Sequence, residues 1–193
     1  MTKRKFIGVV LVGWLAVAVV QFSSLSVRGQ GQGDGGESEI QRGLQIAPVR
    51  LNFAGKSRGL VGLGSYLVNG PMDCTGCHTV NLFLPGGNPF NGDPVTRINT
   101  AAYLAGGAAF GPFISRNLTP DRSGRPAGLT FAQFELAMRH GTDFKNIPPA
   151  PLLQVMPWPA FRESTDHTLR AVYEYLSAIP CIEGGPGSPA NRC

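Results

Sequence analysis

Histidine, methionine and lysine are all scarce in this 193-residue chain, and each scarcity excludes something. The histidines are His78, His140 and His167, and the cysteines are Cys74, Cys77, Cys181 and Cys193. A second C-x-x-C or a paired His cluster is missing, so a structural zinc module is excluded. Lysine occurs only at Lys3, Lys5, Lys56 and Lys145, so no lysine ring is available to steer acidic partners. The arginines are scattered and form no basic run, which argues against nucleic acid as a partner. No apolar run beyond residue 22 is long enough to cross a bilayer, so a multi-span membrane protein is excluded. No internal repeat is visible.

What is present suits one domain. Apolar residues make up 42% of the chain, too many for a disordered segment. The 26 Gly and 16 Pro predict many turns and short elements. The formal charge of +5 comes partly from Lys3, Arg4 and Lys5; without these three, 14 bases face 12 acids.

Those three charges precede the apolar run Phe6–Val20, the pattern of a secretory signal. Residues 1–26 are read as a signal peptide cleaved after Ser24-Leu25-Ser26, or as an uncleaved membrane anchor. Either way the folded part is exported. Residues 27–56 contain GQGQGDGG at Gly29–Gly36 and are expected to be a flexible linker.

Helical spacing of Leu60, Leu63, Leu67 and Val68 predicts a helix over Arg58–Asn69, whose glycines would let a flat cofactor or a partner helix come close. Thr130-Phe131-Ala132-Gln133 is a capping box opening a helix that Gly141 ends, with Phe131, Phe134 and Met138 inward. Thr165 caps a last helix, Asp166 to about Ala178, with the stripe Leu169, Val172, Tyr173, Leu176 and Ile179 and a stop at Pro180. Between these lie 51 Gly- and Pro-rich residues, 79–129, in which Tyr103–Phe110 and Phe113–Asn117 are expected to form a hairpin about Gly111-Pro112.

The chemistry sits in Cys74-Thr75-Gly76-Cys77-His78, the C-x-x-C-H spacing of c-type haem attachment. Two thiols three residues apart can reach both vinyl groups of one porphyrin and form thioethers, and the next residue directs an imidazole at the iron. A thioredoxin-like pair would need a βαβ setting, which the helical, Gly-rich flanks do not offer. For the sixth iron position Met72 lies too near the attachment site and Met138 falls in a core stripe. Met156 is best placed, in the Pro-punctuated loop Ile147–Phe161. His140 and His167 stand as alternatives, as does an open position.

With Gly64-Ser65-Tyr66-Leu67 leading into Cys74–His78, then Asn117-Leu118-Thr119-Pro120-Asp121, Met156-Pro157-Trp158 and Tyr173–Pro180, the chain resembles a monohaem cytochrome c domain over about residues 56–180. The middle and last motifs resemble more narrowly the cytochrome c subunits and partners of periplasmic bacterial dehydrogenases. Such subunits often carry three haem domains, whereas this chain has a single C-x-x-C-H.

The resemblance implies a mainly α fold, a helical domain at 57–180 around one covalently bound haem c, with an enlarged loop region holding a short hairpin. It implies thioethers at Cys74 and Cys77, proximal ligation by His78 and distal ligation by Met156. Six-coordinate iron leaves no substrate position, so the expectation is a periplasmic one-electron carrier that is not itself an enzyme. Its partners would be a dehydrogenase, an oxidase or another cytochrome, with tethering to the membrane through the N-terminal segment. The alternatives are the electron-transfer subunit of a dehydrogenase complex and a haem protein that binds a small ligand at an open sixth position. In the tail, 181–193, an exported Cys181 and Cys193 are expected to form a disulfide worth about 3 kcal/mol. Phe110, Phe113 and Trp158 are candidates for an apolar partner face.

Overall fold

The computed structural model describes residues 34–144, 152–184 and 192–193, and the side chains from residue 38 onward. The signal or anchor segment and residues 27–33 lie outside the described residues. Among those described, no helix is long and apolar enough to cross a membrane.

The order is α1 (Asp34–Ile46), α2 (Arg58–Asn69), α3 (Cys74–His78), 3₁₀ turns at Pro89–Asn91 and Thr100–Ala102, β1 (Ala109–Phe110), β2 (Phe113–Ile114), α4 (Phe131–His140), α5 (Trp158–Phe161) and α6 (Asp166–Ala178). This is the mainly helical architecture expected of a cytochrome c domain.

Helix α2 starts where Ser57 Oγ accepts from the Leu60 N–H and buries Val61, Gly64, Ser65 and Val68. A Cβ on Gly64 would lie 2.0 Å from the Ala171 carbonyl oxygen of α6. The partner-helix role of these glycines is therefore the one observed at the α2–α6 crossing. Helix α4 has the complete capping box: Thr130 accepts from the Gln133 N–H, and Gln133 Oε1 accepts from the Thr130 N–H at 2.9 Å. Helix α6 is capped by Thr165.

The linker reading of 27–56 is corrected from residue 34 onward. Helix α1 lies across α2: Ser65 Oγ donates to the Gly43 carbonyl at 2.7 Å, and a Cβ on Gly43 would meet the Gly62 oxygen at 1.9 Å. Its small residue at the crossing lets Ile40 and Leu44 reach α2, which the glycine-rich run just before it conceals. Ala47, Val49, Leu51 and Phe53 continue over the core, and the Asn52 N–H donates to the Ala178 carbonyl at 2.8 Å.

The core is formed by Val61, Val68, Tyr103, Leu104, Phe134, Met138, Leu169, Val172, Tyr175 and Leu176. Within it three polar groups satisfy one another: Tyr103 Oη lies 2.5 Å from Asn69 Oδ1 and 2.7 Å from Tyr175 Oη. Tyr175 therefore faces the interior, while Tyr173, named in the sequence stripe, is half-buried against Phe131 and Phe134. The hairpin exists about Gly111, whose φ is +61°, but its strands are two residues each. Tyr103 and Leu104 left it for the core, where side-chain burial outweighs ladder bonds. Cys181 and Cys193 are joined in a disulfide.

Candidate haem-binding site

Helix α3 is a single turn, too short to hold itself, and is fixed by its ends. Asp73 caps it from the left-handed region (φ 41°), a conformation Asp tolerates. Its carboxylate accepts from the Gly76 N–H at 3.2 Å and the Thr75 hydroxyl at 3.3 Å. At the other end the Gly106 N–H donates to the His78 carbonyl at 2.8 Å. Cys74, Cys77 and His78 thus stand on a short platform tied to the 79–130 region, and both thiols are free.

His78 Nδ1 lies 2.7 Å from the Arg116 carbonyl oxygen. A carbonyl only accepts, so the proton is on Nδ1 and Nε2 keeps its lone pair. Burial lowers the imidazole pKa below its ordinary value, against the opposing pull of that carbonyl. Burial, reinforced by the Asp73 carboxylate, pushes the Cys74 thiol up to about 12. At neutral pH the group next to the thiols is therefore a neutral ring with a fixed tautomer.

These residues open on a cavity of about 610 Å³, walled mostly by apolar side chains such as Leu118, Leu129, Phe134, Val172 and Leu176. Met156 lines the same cavity, so the structure brings together Cys74, Cys77, His78 and Met156. Met72 and Met138 reach it too; Met138 is also part of the core. His140 and His167 are exposed and outside it. The size falls within the range of cofactor pockets. An apolar slot with one neutral imidazole, a thioether sulfur and two adjacent thiols suits a flat apolar macrocycle with a nitrogen- and sulfur-binding metal.

The far wall depends on a contact that the sequence does not show, between the helix-ending Gly141 and the partner-face candidate Trp158. Gly141, the left-handed cap of α4, packs on the Trp158 ring, and a Cβ there would lie 2.4 Å from Trp158 Nε1. Its carbonyl accepts from the Leu153 N–H at 2.7 Å, and Trp158 Nε1 donates to the Leu153 carbonyl at 3.2 Å. Residues 152–158, Met156 among them, are thereby strapped to the end of α4. Residues 147–151 of the expected loop lie outside the described residues.

The Asn117–Asp121 motif has a structural role in the near wall. Asn117 Oδ1 accepts from the Thr119 N–H and hydroxyl, and Asn117 Nδ2 donates to the Ile182 carbonyl at 2.9 Å. The segment that takes the proton of His78 is thus bolted to the chain leaving α6. Of the candidate partner-face residues, Phe113 is exposed, while Phe110 and Trp158 are half-buried.

Comparison with known proteins gives no matching family model and no significant match to a solved structure. Curated relatives do match. The gluconate 2-dehydrogenase cytochrome c subunit of Pantoea cypripedii is 32% identical over 117 residues, covering 61% of this chain and 22% of that protein. The fructose dehydrogenase cytochrome subunit of Gluconobacter japonicus is 30% identical over 137 residues, covering 69% of this chain and 24% of that protein. The cytochrome c subunit of the quinone-dependent alcohol dehydrogenase of Gluconacetobacter polyoxogenes is 31% identical over 122 residues, covering 61% of this chain and 21% of that protein. The chain spans less than a quarter of the length of each of these relatives. With its C-x-x-C-H motif and helical fold, the chain is a relative of the cytochrome c subunits of bacterial dehydrogenases over about two thirds of its own length.

Proposed function

We propose that this chain is an exported one-electron relay carrying a single c-type haem, attached at Cys74 and Cys77 and ligated by His78 and Met156. The observation that carries this reading is the convergence of those four residues on one apolar cavity. The bound haem would supply the one-electron iron couple, and the protein supplies everything that tunes it. Cys74 and Cys77 fix the porphyrin edge through thioethers. His78 offers Nε2 because the Arg116 carbonyl holds the proton of Nδ1. Met156 offers a soft sulfur, which favours the ferrous state and raises the potential above that of a two-histidine site. The apolar wall excludes water and keeps reorganisation small. With His78 and Met156 both holding the iron, no position would remain for substrate, and the chain would pass electrons without transforming a molecule itself.

The relatives are dehydrogenase cytochrome subunits, which supports a dehydrogenase as electron donor, either as a complex partner or through a freely diffusing carrier. An oxidase or another cytochrome would take the electron onward. Residues 1–26 would direct export to the periplasm and, if retained, hold the domain at the membrane.

The test is spectroscopic. Full-length protein matured with haem should give the alkaline pyridine spectrum of thioether-linked haem. Cys74→Ala with Cys77→Ala should leave haem extractable by acidified organic solvent, or absent; haem that stayed covalent in this variant would end the c-type reading. The ferric protein should show the weak long-wavelength sulfur-to-iron band. Met156→Ala should abolish it and let the ferrous form bind carbon monoxide, whereas Met138→Leu should keep it. The reverse pattern would transfer the sixth ligand to Met138.

A further inference from the structure

Arg192 lines the same cavity and is only 8% exposed. Its Nη2 donates to the Thr119 carbonyl, while its Nε is buried with no hydrogen-bond partner among the described residues. Two carboxylates lie near enough for their charge to reach it, Asp121 and Glu183. Both are occupied with other donors. Glu183 accepts from the N–H groups of Arg192 and Cys193 at 3.1 and 2.9 Å. Asp121 Oδ1 accepts from the Ser123 hydroxyl and from the N–H groups of Ser123 and Arg125, at 2.7, 2.9 and 3.0 Å. The ion pairs among the described residues are Arg116–Asp143, Arg139–Asp166 and Arg162–Glu163, and none among them involves the Arg192 guanidinium.

A buried cation without a direct ion pair is unfavourable, and an unused donor adds to that cost. A bond to one carbonyl does not require a guanidinium. Arg116, the other arginine of the cavity, is already neutralised by Asp143 at 2.6 Å. Arg192 is the cation left over, and a haem brings two carboxylates.

Resting on the haem reading above, we propose that Arg192 is the anchor for a haem propionate, carried to the cavity by the Cys181–Cys193 disulfide. The placement is built in at three points. The disulfide joins the neighbouring Cys193 to the chain leaving α6, Glu183 holds the main chain of both residues, and the Arg122 N–H donates to the Arg192 carbonyl at 2.9 Å. Segment 116–122 therefore meets His78 at one end and Arg192 at the other. It sets an iron ligand and a carboxylate anchor in one register.

The experiment compares wild type with Arg192→Gln, Arg192→Lys and Cys181→Ser/Cys193→Ser, each matured with haem in the full chain. Readouts are covalent haem content, the propionate-bending band in resonance Raman spectra and the reduction midpoint. Arg192→Gln should move the band and lower the ferrous-to-ferric ratio at a fixed applied potential roughly fivefold, since a nearby positive charge favours the ferrous state. Arg192→Lys should restore most of the ratio but not the band, because an ammonium cannot reproduce the planar guanidinium fork. The disulfide variant should move band and ratio in the direction of Arg192→Gln, and it carries the test if that variant fails to fold. Unchanged band and ratio in Arg192→Gln with haem attached would overturn the proposal and leave Arg192 as a tie to Thr119. An unchanged disulfide variant beside a changed Arg192→Gln would remove the disulfide from it. Wild-type protein that attaches no haem would overturn the haem reading itself.

Discussion

The two walls of the cavity are held in different ways. On the near wall His78 follows the two thiols directly, and its ring is oriented by a hydrogen bond to a main-chain carbonyl of a segment that is itself tied to the chain leaving α6. On the far wall Met156 comes from a distant stretch held by ring packing at Gly141–Trp158 and a few bonds about Leu153. The near wall is thus specified largely by a local motif and the far wall by tertiary fit. A motif can be read from sequence and is hard to loosen gradually. A packed strap is harder to read and should respond in proportion to each lost contact.

The most severe way to break this comparison is His78→Ala. It should reduce covalent haem-protein more than about tenfold in yield, measured by the pyridine spectrum, because it removes the ligand that sets the ring plane beside the thiols. Met156→Ala, by contrast, should keep its haem attached. Equal losses in the two variants would mean that the walls are not independent. Next comes Gly141→Ala. The new Cβ meets the Trp158 ring at a position whose φ is +67°, so strain and overpacking together should cost about 3 kcal/mol. The measurement is thermal unfolding, with the ferric sulfur band weakened in parallel. A variant that melts like wild type would show that Trp158 does not hold the far wall. Trp158→Phe is milder: it keeps a ring under Gly141 but loses the bond to the Leu153 carbonyl, for about 1 kcal/mol.

What could be read in the sequence follows the same division. Thr130 with Gln133 and Thr165 act within a few residues, and the structure forms the expected helix at each; the Cys74–His78 spacing is equally local, though the helical turn it forms was not among the expected elements. Helix α1 was hidden because a window dominated by glycine masks the amphipathic turns that begin at about Glu39. Tyr175 was missed in favour of Tyr173 because a periodic stripe does not show that a phenol can be buried when Tyr103 and Asn69 satisfy it. The hairpin is shorter than its β-favouring residues suggest because Tyr103 and Leu104 are claimed by the core. Met156 could be singled out by its prolines, but the Gly141–Trp158 contact that holds it joins positions 17 residues apart. Arg192 offers no signal in sequence, since a lone arginine in a Gly- and Pro-rich tail reads as solvated until the fold buries it.

The smallest effect separates the walls by acidity. Asp121 sits in the segment that supports the near wall. Partial burial would raise its pKa, but the Ser123 hydroxyl, the N–H groups of Arg125 and Ser123 and the charge of Arg192 together lower it below its ordinary value. A carboxylate lowered on folding contributes stability above its unfolded pKa and loses it as the pH falls through the folded value. The near wall should therefore weaken on acidification from about pH 4 downward. Because the group is only half-buried and solvent still screens it, the contribution stays below about 1 kcal/mol at neutral pH. Asp121→Asn keeps an oxygen acceptor for the turn while removing the charge, so it isolates the acid-dependent part. Melting temperatures of the two proteins should differ slightly at about pH 7 and draw together as the pH falls through the lowered folded value of Asp121, where wild type loses its small advantage. Two melting curves that stay parallel over the whole range would mean that the turn uses Asp121 only as a neutral acceptor, and that the near wall owes nothing to its charge.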